Sequence, residues 1–65
     1  MNIKVNGKDM ETSEVNLGGL LASLQIMPER VAVEVNLKII RKADHHSYKL
    51  CEGDVIEIVN FVGGG

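Results

Sequence analysis

The chain is poor in aromatic residues: Tyr48 and Phe61 are the whole complement, and tryptophan is absent. Stacking on bases or sugars ordinarily uses aromatic faces, so little of the chain suits that work. Positive charge is short as well. Seven Lys and Arg stand against nine Asp and Glu, a formal net charge of −2. The charges are scattered, and the basic stripe of a nucleic-acid footprint is missing. No apolar run approaches the length of a bilayer span. Met1-Asn2-Ile3-Lys4 begins a strand pattern, not the apolar core of a signal peptide. A single cysteine, Cys51, excludes an intramolecular disulfide and fits a reducing cytoplasm. Internal repeats and low-complexity segments are also lacking.

What is there is small. Sixty-five residues make one domain, which buries only about 60% of its unfolded surface. A domain of this size has little room for a deep pocket of its own. Its apolar residues, mostly Val, Ile and Leu, must therefore be well placed. Composition points to a small module that works through a partner.

Taken in order, residues 2–13 read as a hairpin. Ile3 and Val5 alternate with polar residues, and Asn6-Gly7 is a strong signal for a type I′ turn, which needs φ > 0 at both central residues. The return strand, 9–13, is polar apart from Met10 and belongs at a sheet edge. Residues 16–25 read as the one helix. Asn16 is its N-cap, and Leu17, Leu20, Leu21 and Leu24 form one apolar stripe. Gly18 and Gly19 let the first turn approach the sheet closely. Ile26 and Met27 close the end, and Pro28 forbids continuation.

Residues 31–36 alternate as a strand with Val31, Val33 and Val35 on one face. A tight turn at Asn36-Leu37-Lys38 leads to a short return strand, Ile39-Ile40-Arg41. From Lys42 to Lys49 no period is evident, and Tyr48 and Leu50 are placed as a lid on the core. Gly53, in the turn Glu52-Gly53-Asp54, is the residue expected at positive φ. The last strand, 55–62, is the longest and is apolar on both faces. That places it centrally, beside the first strand. Ile56 and Ile58 face the helix; Val55, Glu57, Val59 and Phe61 face away.

That strand runs directly into Gly63-Gly64-Gly65, without the serine-rich spacer of a linker. Glycines carry no Cβ to restrict φ or to shield a carbonyl. Such a tail can be threaded into a narrow cleft of a partner, presenting the Gly65 α-carboxylate. Exposed apolar residues beside it, Val55, Val59, Phe61 and Val62, are candidates for docking that partner. Other candidates are weaker. His45-His46 invites a metal, but adjacent residues rarely converge on one ion and no ligand spacing supports it; a solvated loop is the expectation. Cys51 is expected to be a half-buried structural cysteine. Glu52, Asp54 and Glu57 on one side, and Lys38, Arg41 and Lys42 on the other, read as solvated charged faces.

Several stretches together carry a family resemblance: Pro28-Glu29-Arg30 running into Val31-Ala32-Val33-Glu34-Val35-Asn36, the turn Glu52-Gly53-Asp54, and above all Glu57-Ile58-Val59-Asn60-Phe61-Val62-Gly63-Gly64-Gly65. A helix grasped by a mixed sheet of four to five strands and followed by a glycine tail resembles the α+β, β-grasp (ubiquitin-like) layout. In detail the chain resembles the ThiS family of sulfur carriers in thiamine biosynthesis. One departure is Leu37, where relatives often carry Gly after the Asn. The resemblance implies a β-grasp domain over 1–62 and a flexible tail over 63–65. It implies a protein co-substrate with no cofactor of its own rather than an enzyme. A ubiquitin-activating-like adenylyltransferase of the ThiF type, using ATP and magnesium, would activate Gly65. A persulfide donor would supply sulfur, and thiazole synthase of the ThiG type would accept it from the Gly65 thiocarboxylate. Alternatives are the small subunit of molybdopterin synthase, a ubiquitin-like protein modifier, and a β-grasp binding module with an inert tail.

Overall fold

The computed structural model describes residues 1–61. Five strands, β1 (Asn2–Val5), β2 (Lys8–Glu11), β3 (Val31–Val35), β4 (Lys38–Ile39) and β5 (Val55–Asn60), form one sheet in the order β2-β1-β5-β3-β4. One helix, α1 (Leu17–Ser23), connects β2 to β3. The neighbours of β5 differ in sense: β1 runs parallel to it and β3 antiparallel. The apolar last strand is therefore central, and the polar β2 is at an edge.

Burial follows the period-2 and period-3.6 patterns. Ile3, Val5, Val33, Val35 and Ile56 from the sheet meet Leu17, Leu20 and Leu21 from α1 in one buried cluster. Leu50 closes it, with Tyr48 half-buried against it. Burying a side chain of this kind contributes about 1.5–3 kcal/mol, so the inner face of the sheet carries most of the stability.

Both hairpins turn in two residues. Asn6 and Gly7 have φ of 50° and 82°, and Val5 pairs with Lys8 across them. Asn36 and Leu37 have φ of 52° and 70°, and Val35 pairs with Lys38. The second turn thus has the same positive-φ geometry although Leu37 occupies the position that favours glycine. Gly53, at φ 86°, fills its expected role in the turn before β5.

The helix is shorter than its leucine period suggests. Asn16 caps it, its Oδ1 accepting from Gly19 N at 2.7 Å. The end comes at Ser23, two residues before the expected Gln25. Gln25 adopts φ 61°; its N–H donates to Ala22 O at 3.0 Å and that of Ile26 to Leu21 O at 2.9 Å, a Schellman motif. Pro28 instead opens a short 3-10 turn, Pro28–Arg30. Other strand ends also differ by a residue or two: β2 stops at Glu11, β4 is Lys38–Ile39, and β5 ends at Asn60.

The aperiodic stretch 42–49 packs over the start of α1, not over the open sheet. Tyr48 O and His45 O accept from Leu17 N and Gly18 N, each at 3.0 Å, which satisfies donors that the first turn leaves free. A Cβ on Gly18 would collide with the His46 ring, and one on Gly19 would meet the Glu14 carboxylate. The glycines therefore admit this loop and the Glu14 side chain, rather than bringing the helix closer to the sheet. His45 is not solvated: it is 3% exposed, and its Nε2–H donates to Ile40 O at 3.2 Å. Its Nδ1 has no partner among the described residues.

Leu37 yields a stability prediction. A left-handed conformation costs an L-residue about 1–2 kcal/mol, and Leu37, at 88% exposure, gains little by burial. Leu37→Gly is expected to raise unfolding free energy by about 0.5–1 kcal/mol after the backbone entropy of glycine is subtracted. Urea titration should show a higher midpoint with an unchanged slope.

Candidate functional site

The candidate site is the end of β5 and the sheet face around it. Two asparagines set the strand in place. The Asn6 side chain acts as an extra backbone pair: its Oδ1 accepts from Ile58 N at 2.7 Å, and its Nδ2 donates to Ile58 O at 3.2 Å. Asn36 does similar work at the other end, its Oδ1 accepting from Val55 N at 3.0 Å. Its Nδ2 donates to Asp54 Oδ1 at 2.9 Å, and Asp54 Oδ2 accepts from Cys51 N at 2.8 Å. Asp54 is buried. It is a structural bracket between the β3–β4 turn and the start of β5, not a member of a solvated acidic face. Cys51 is exposed, where a half-buried position was expected: its backbone is held by Asp54 and its thiol stands in solvent.

The far end of β5 is held as firmly. Val31 pairs with Asn60, and Phe61 N donates to Arg30 O at 2.9 Å. Ordered pairing therefore extends to Phe61. Val62, Gly63, Gly64 and Gly65 lie outside the described residues, and with them the tail itself and the candidate modified carboxylate.

The described candidates share one face. Val55 is 41% exposed, Val59 60% and Phe61 59%. All three stand opposite the side that carries Ile56 and the half-buried Ile58. The register adds residues that the local sequence pattern did not group with them. Ile39 pairs with Glu34, and Ala32 with Val59, so these too lie on the outer face; Ile39 is exposed. Leu37 lines a shallow depression with Asn36, Val55 and Glu57. A groove beside Phe61 is lined by Pro28, Ala32, Ile39 and the basic residues Arg41 and Lys42. These bases are partly answered, Arg41 by Asp44 at 3.5 Å and Lys42 by Glu29 at 3.8 Å. The period of β5 found Val55 and Val59; cross-strand register was needed to find Ile39.

His45 and His46 are engaged in different places, one under Ile40 O and one against Gly18. No group of three His, Cys, Asp or Glu suited to a metal occurs among the described residues. No helix among them is long and apolar enough to cross a membrane.

Comparison with known proteins gives a consistent picture. The ThiS family model matches residues 3–65. A protein named sulfur carrier protein ThiS, from Bacillus subtilis, is 46% identical over 65 residues, covering 97% of this chain and 98% of that protein. A thiazole synthase from Magnetococcus marinus is 39% identical over 66 residues, covering 100% of this chain. The chain spans 20% of that protein's length. Among solved structures, the crystal structure of the thiamine biosynthesis protein ThiS from Geobacter metallireducens superposes with a TM-score of 0.85 at 32% identity, covering 100% of both chains.

The Asp54 bracket can be tested without any partner. Asp54→Ala leaves the Asn36 amide and the Cys51 N–H without their acceptor, and is expected to cost about 2–3 kcal/mol. Thermal unfolding should show the loss, and hydrogen exchange should show Val55 N–H opening faster than Ile58 N–H, which Asn6 holds independently.

Proposed function

This chain belongs to the ThiS family, the sulfur carriers of thiamine biosynthesis, and from that membership we propose that its working group is the α-carboxylate of Gly65. A carboxylate is a poor electrophile, because its charge is shared over both oxygens and no good leaving group is present. Activation supplies the leaving group. A carboxylate oxygen attacks the α-phosphorus of ATP, pyrophosphate departs, and an acyl-adenylate remains. ATP and magnesium are bound by a ThiF-type adenylyltransferase, not by this chain. A persulfide sulfur then attacks the acyl carbon and AMP leaves. A thiol cleaves the resulting S–S bond, and the carrier is left as a Gly65 thiocarboxylate. Thiazole synthase of the ThiG type takes that sulfur.

In this scheme the chain is a co-substrate rather than an enzyme. Its contribution is mechanical and steric. The observation that most supports it is the setting of β5: central in the sheet, paired on both sides, and held through Phe61 by Arg30 O. A strand so held gives the three glycines beyond it a fixed base. Gly63 and Gly64, without side chains, suit passage through two different narrow active sites. Val55, Val59 and Phe61, with Val62, dock the folded body while the tail enters. The thiazole synthase relatives, in which a segment like this chain accounts for 20% of the protein, support thiazole synthase as the acceptor. Covalent fusion keeps two groups that must meet at high effective concentration.

Incubation with the adenylyltransferase, ATP, magnesium and a persulfide donor is expected to replace one oxygen by sulfur at Gly65, read by intact-mass and fragment-ion spectrometry. A chain ending at Gly64 should fold with unchanged stability and take up no sulfur. Absence of the sulfur adduct, under conditions that load the Bacillus subtilis carrier, would remove the proposal; transfer by the truncated chain would show that Gly65 is not the working residue.

A further inference from the structure

The Asn6-Gly7 turn sets a backbone nucleophile next to a side-chain electrophile. Five asparagines occur in the chain, and the residues that follow them are Ile3, Gly7, Leu17, Leu37 and Phe61. The side-chain amide of an asparagine is open to attack by the backbone nitrogen of the next residue. A bulky side chain on that residue hinders the approach, whereas glycine, without a Cβ, leaves it free. Asn6 is therefore the asparagine whose neighbour permits the attack. The geometry around the nucleophile agrees. Gly7 N donates to no acceptor among the described residues, both turn residues are exposed, and a Cβ built on Gly7 would meet nothing within 4 Å.

The electrophile is the part that the fold holds. Asn6 Oδ1 accepts from Ile58 N at 2.7 Å, and Nδ2 donates to Ile58 O at 3.2 Å. Both polar atoms of the amide are thus turned toward β5. For attack, the amide must leave Ile58 and bring its Cγ to Gly7 N. Each of the two bonds contributes modestly, and both lie at an exposed position. Release is therefore a local opening and does not require global unfolding. The second hairpin supplies a control within the same chain. Asn36 also has positive φ, 52°, and its amide is also engaged, by Val55 and Asp54, but the residue after it is Leu37.

We propose that Asn6 is a self-modification site, a point of deamidation whose exposure is set by its hold on Ile58. In the released form, hydroxide or water takes the Gly7 N–H proton and the nitrogen bonds to Asn6 Cγ. The Cγ–Nδ2 bond breaks, Nδ2 takes up a proton from water and leaves as ammonia, and a cyclic imide remains. Water then opens the imide at one carbonyl or the other. One opening gives an aspartate at this position. The other gives an isoaspartate, with the main chain running through the former side chain. The net change is water in and ammonia out, with no oxidation. Either product damages the join between β1 and β5. Aspartate keeps an acceptor for Ile58 N but sets its second oxygen against Ile58 O, where a donor stood. Isoaspartate lengthens a turn that closes Val5 onto Lys8. The damage falls on β5, the strand that runs into the glycines, and refolding does not reverse it.

The test incubates the native chain and the chain unfolded in urea side by side at mildly alkaline pH. Peptide mass spectrometry, with fragmentation that separates aspartate from isoaspartate, follows each asparagine. Conversion is expected at Asn6 and not at Asn36, with isoaspartate among the products. The native chain is expected to convert at least about tenfold more slowly than the unfolded one, as two hydrogen bonds to Ile58 require, and to speed up in urea too dilute to unfold it. Asn6→Asp supplies one product directly. Its thermal midpoint should fall, and hydrogen exchange at Ile58 N–H should quicken, while Val55 N–H, held by Asn36, exchanges as in the wild type. No conversion at Asn6 in the unfolded chain, or equal conversion at Asn36, overturns the site. Equal native and unfolded rates overturn the hold by Ile58, as does a native rate unmoved by dilute urea. An Asn6→Asp chain with unchanged midpoint and unchanged Ile58 exchange overturns the consequence for β5. The rates come from the wild-type chain alone, so they decide the proposal even where the variant fails to fold.

Discussion

The parallel pairing of the last strand with the first is the constraint on which the rest of the molecule depends. It joins residues about fifty positions apart in a chain whose core is a handful of aliphatic side chains, and such closure carries a large entropic cost. The aligned register is short, Lys4 with Val55 and Val5 with Ile56. The join is lengthened by other means. Asn6 N donates to Ile56 O at 2.9 Å, and the Asn6 amide then occupies both polar groups of Ile58. The residue that turns the first hairpin thus also extends the sheet by one more pair after β1 has turned away. On the opposite edge of β5, Asn36 serves both its own turn and Val55. Asparagine suits these positions doubly: it tolerates positive φ, and its amide reproduces the donor and acceptor of a peptide group.

With β5 fixed on both sides, the two faces of the sheet are free to differ. The inner face, with α1 and Leu50, supplies the buried apolar area. The outer face contributes little to the core, so its composition can answer to something else. It carries the exposed Val55, Val59, Ile39 and Phe61, an arrangement that costs solubility and gains nothing in a free monomer. Edge protection is handled elsewhere, by the charged β2 and by a β4 of two residues, each of which discourages edge-to-edge pairing.

Much of this was legible in the residues, for identifiable reasons. Asn6-Gly7 names its own turn. The two-sided apolarity of 55–60 gave away a central strand. The glycine tail stood out by composition alone. Where reading failed, the deciding interactions were not local. Nothing marks Gln25 as a helix end, because glutamine is an ordinary helix former and only the Schellman bonds to Leu21 and Ala22 reveal the stop. The loop 42–49 showed no period because it caps α1 with backbone carbonyls, which any sequence can supply. His45 is buried by that docking rather than by any apolar character of its own. Ile39 joined the outer face through register, which a two-residue strand cannot announce.

The departures from local rules are themselves informative through where they fall. Leu37 holds a left-handed backbone that glycine would occupy more cheaply. Glu34 and Glu57 oppose like charge to like charge across a ladder. Val59 and Phe61 expose large apolar surfaces. On the inner face, by contrast, apolar periodicity and packing agree at every buried strand position. Natural chains concentrate such inconsistencies where a surface has a task other than folding. Here they gather on the outer sheet and at its margin, around the strand that leads to the glycines. The face that conflicts with the rules for a free monomer is the one that bears Val59 and Phe61 at the end of β5, so in the proposed scheme that face is left for docking while the other keeps the fold.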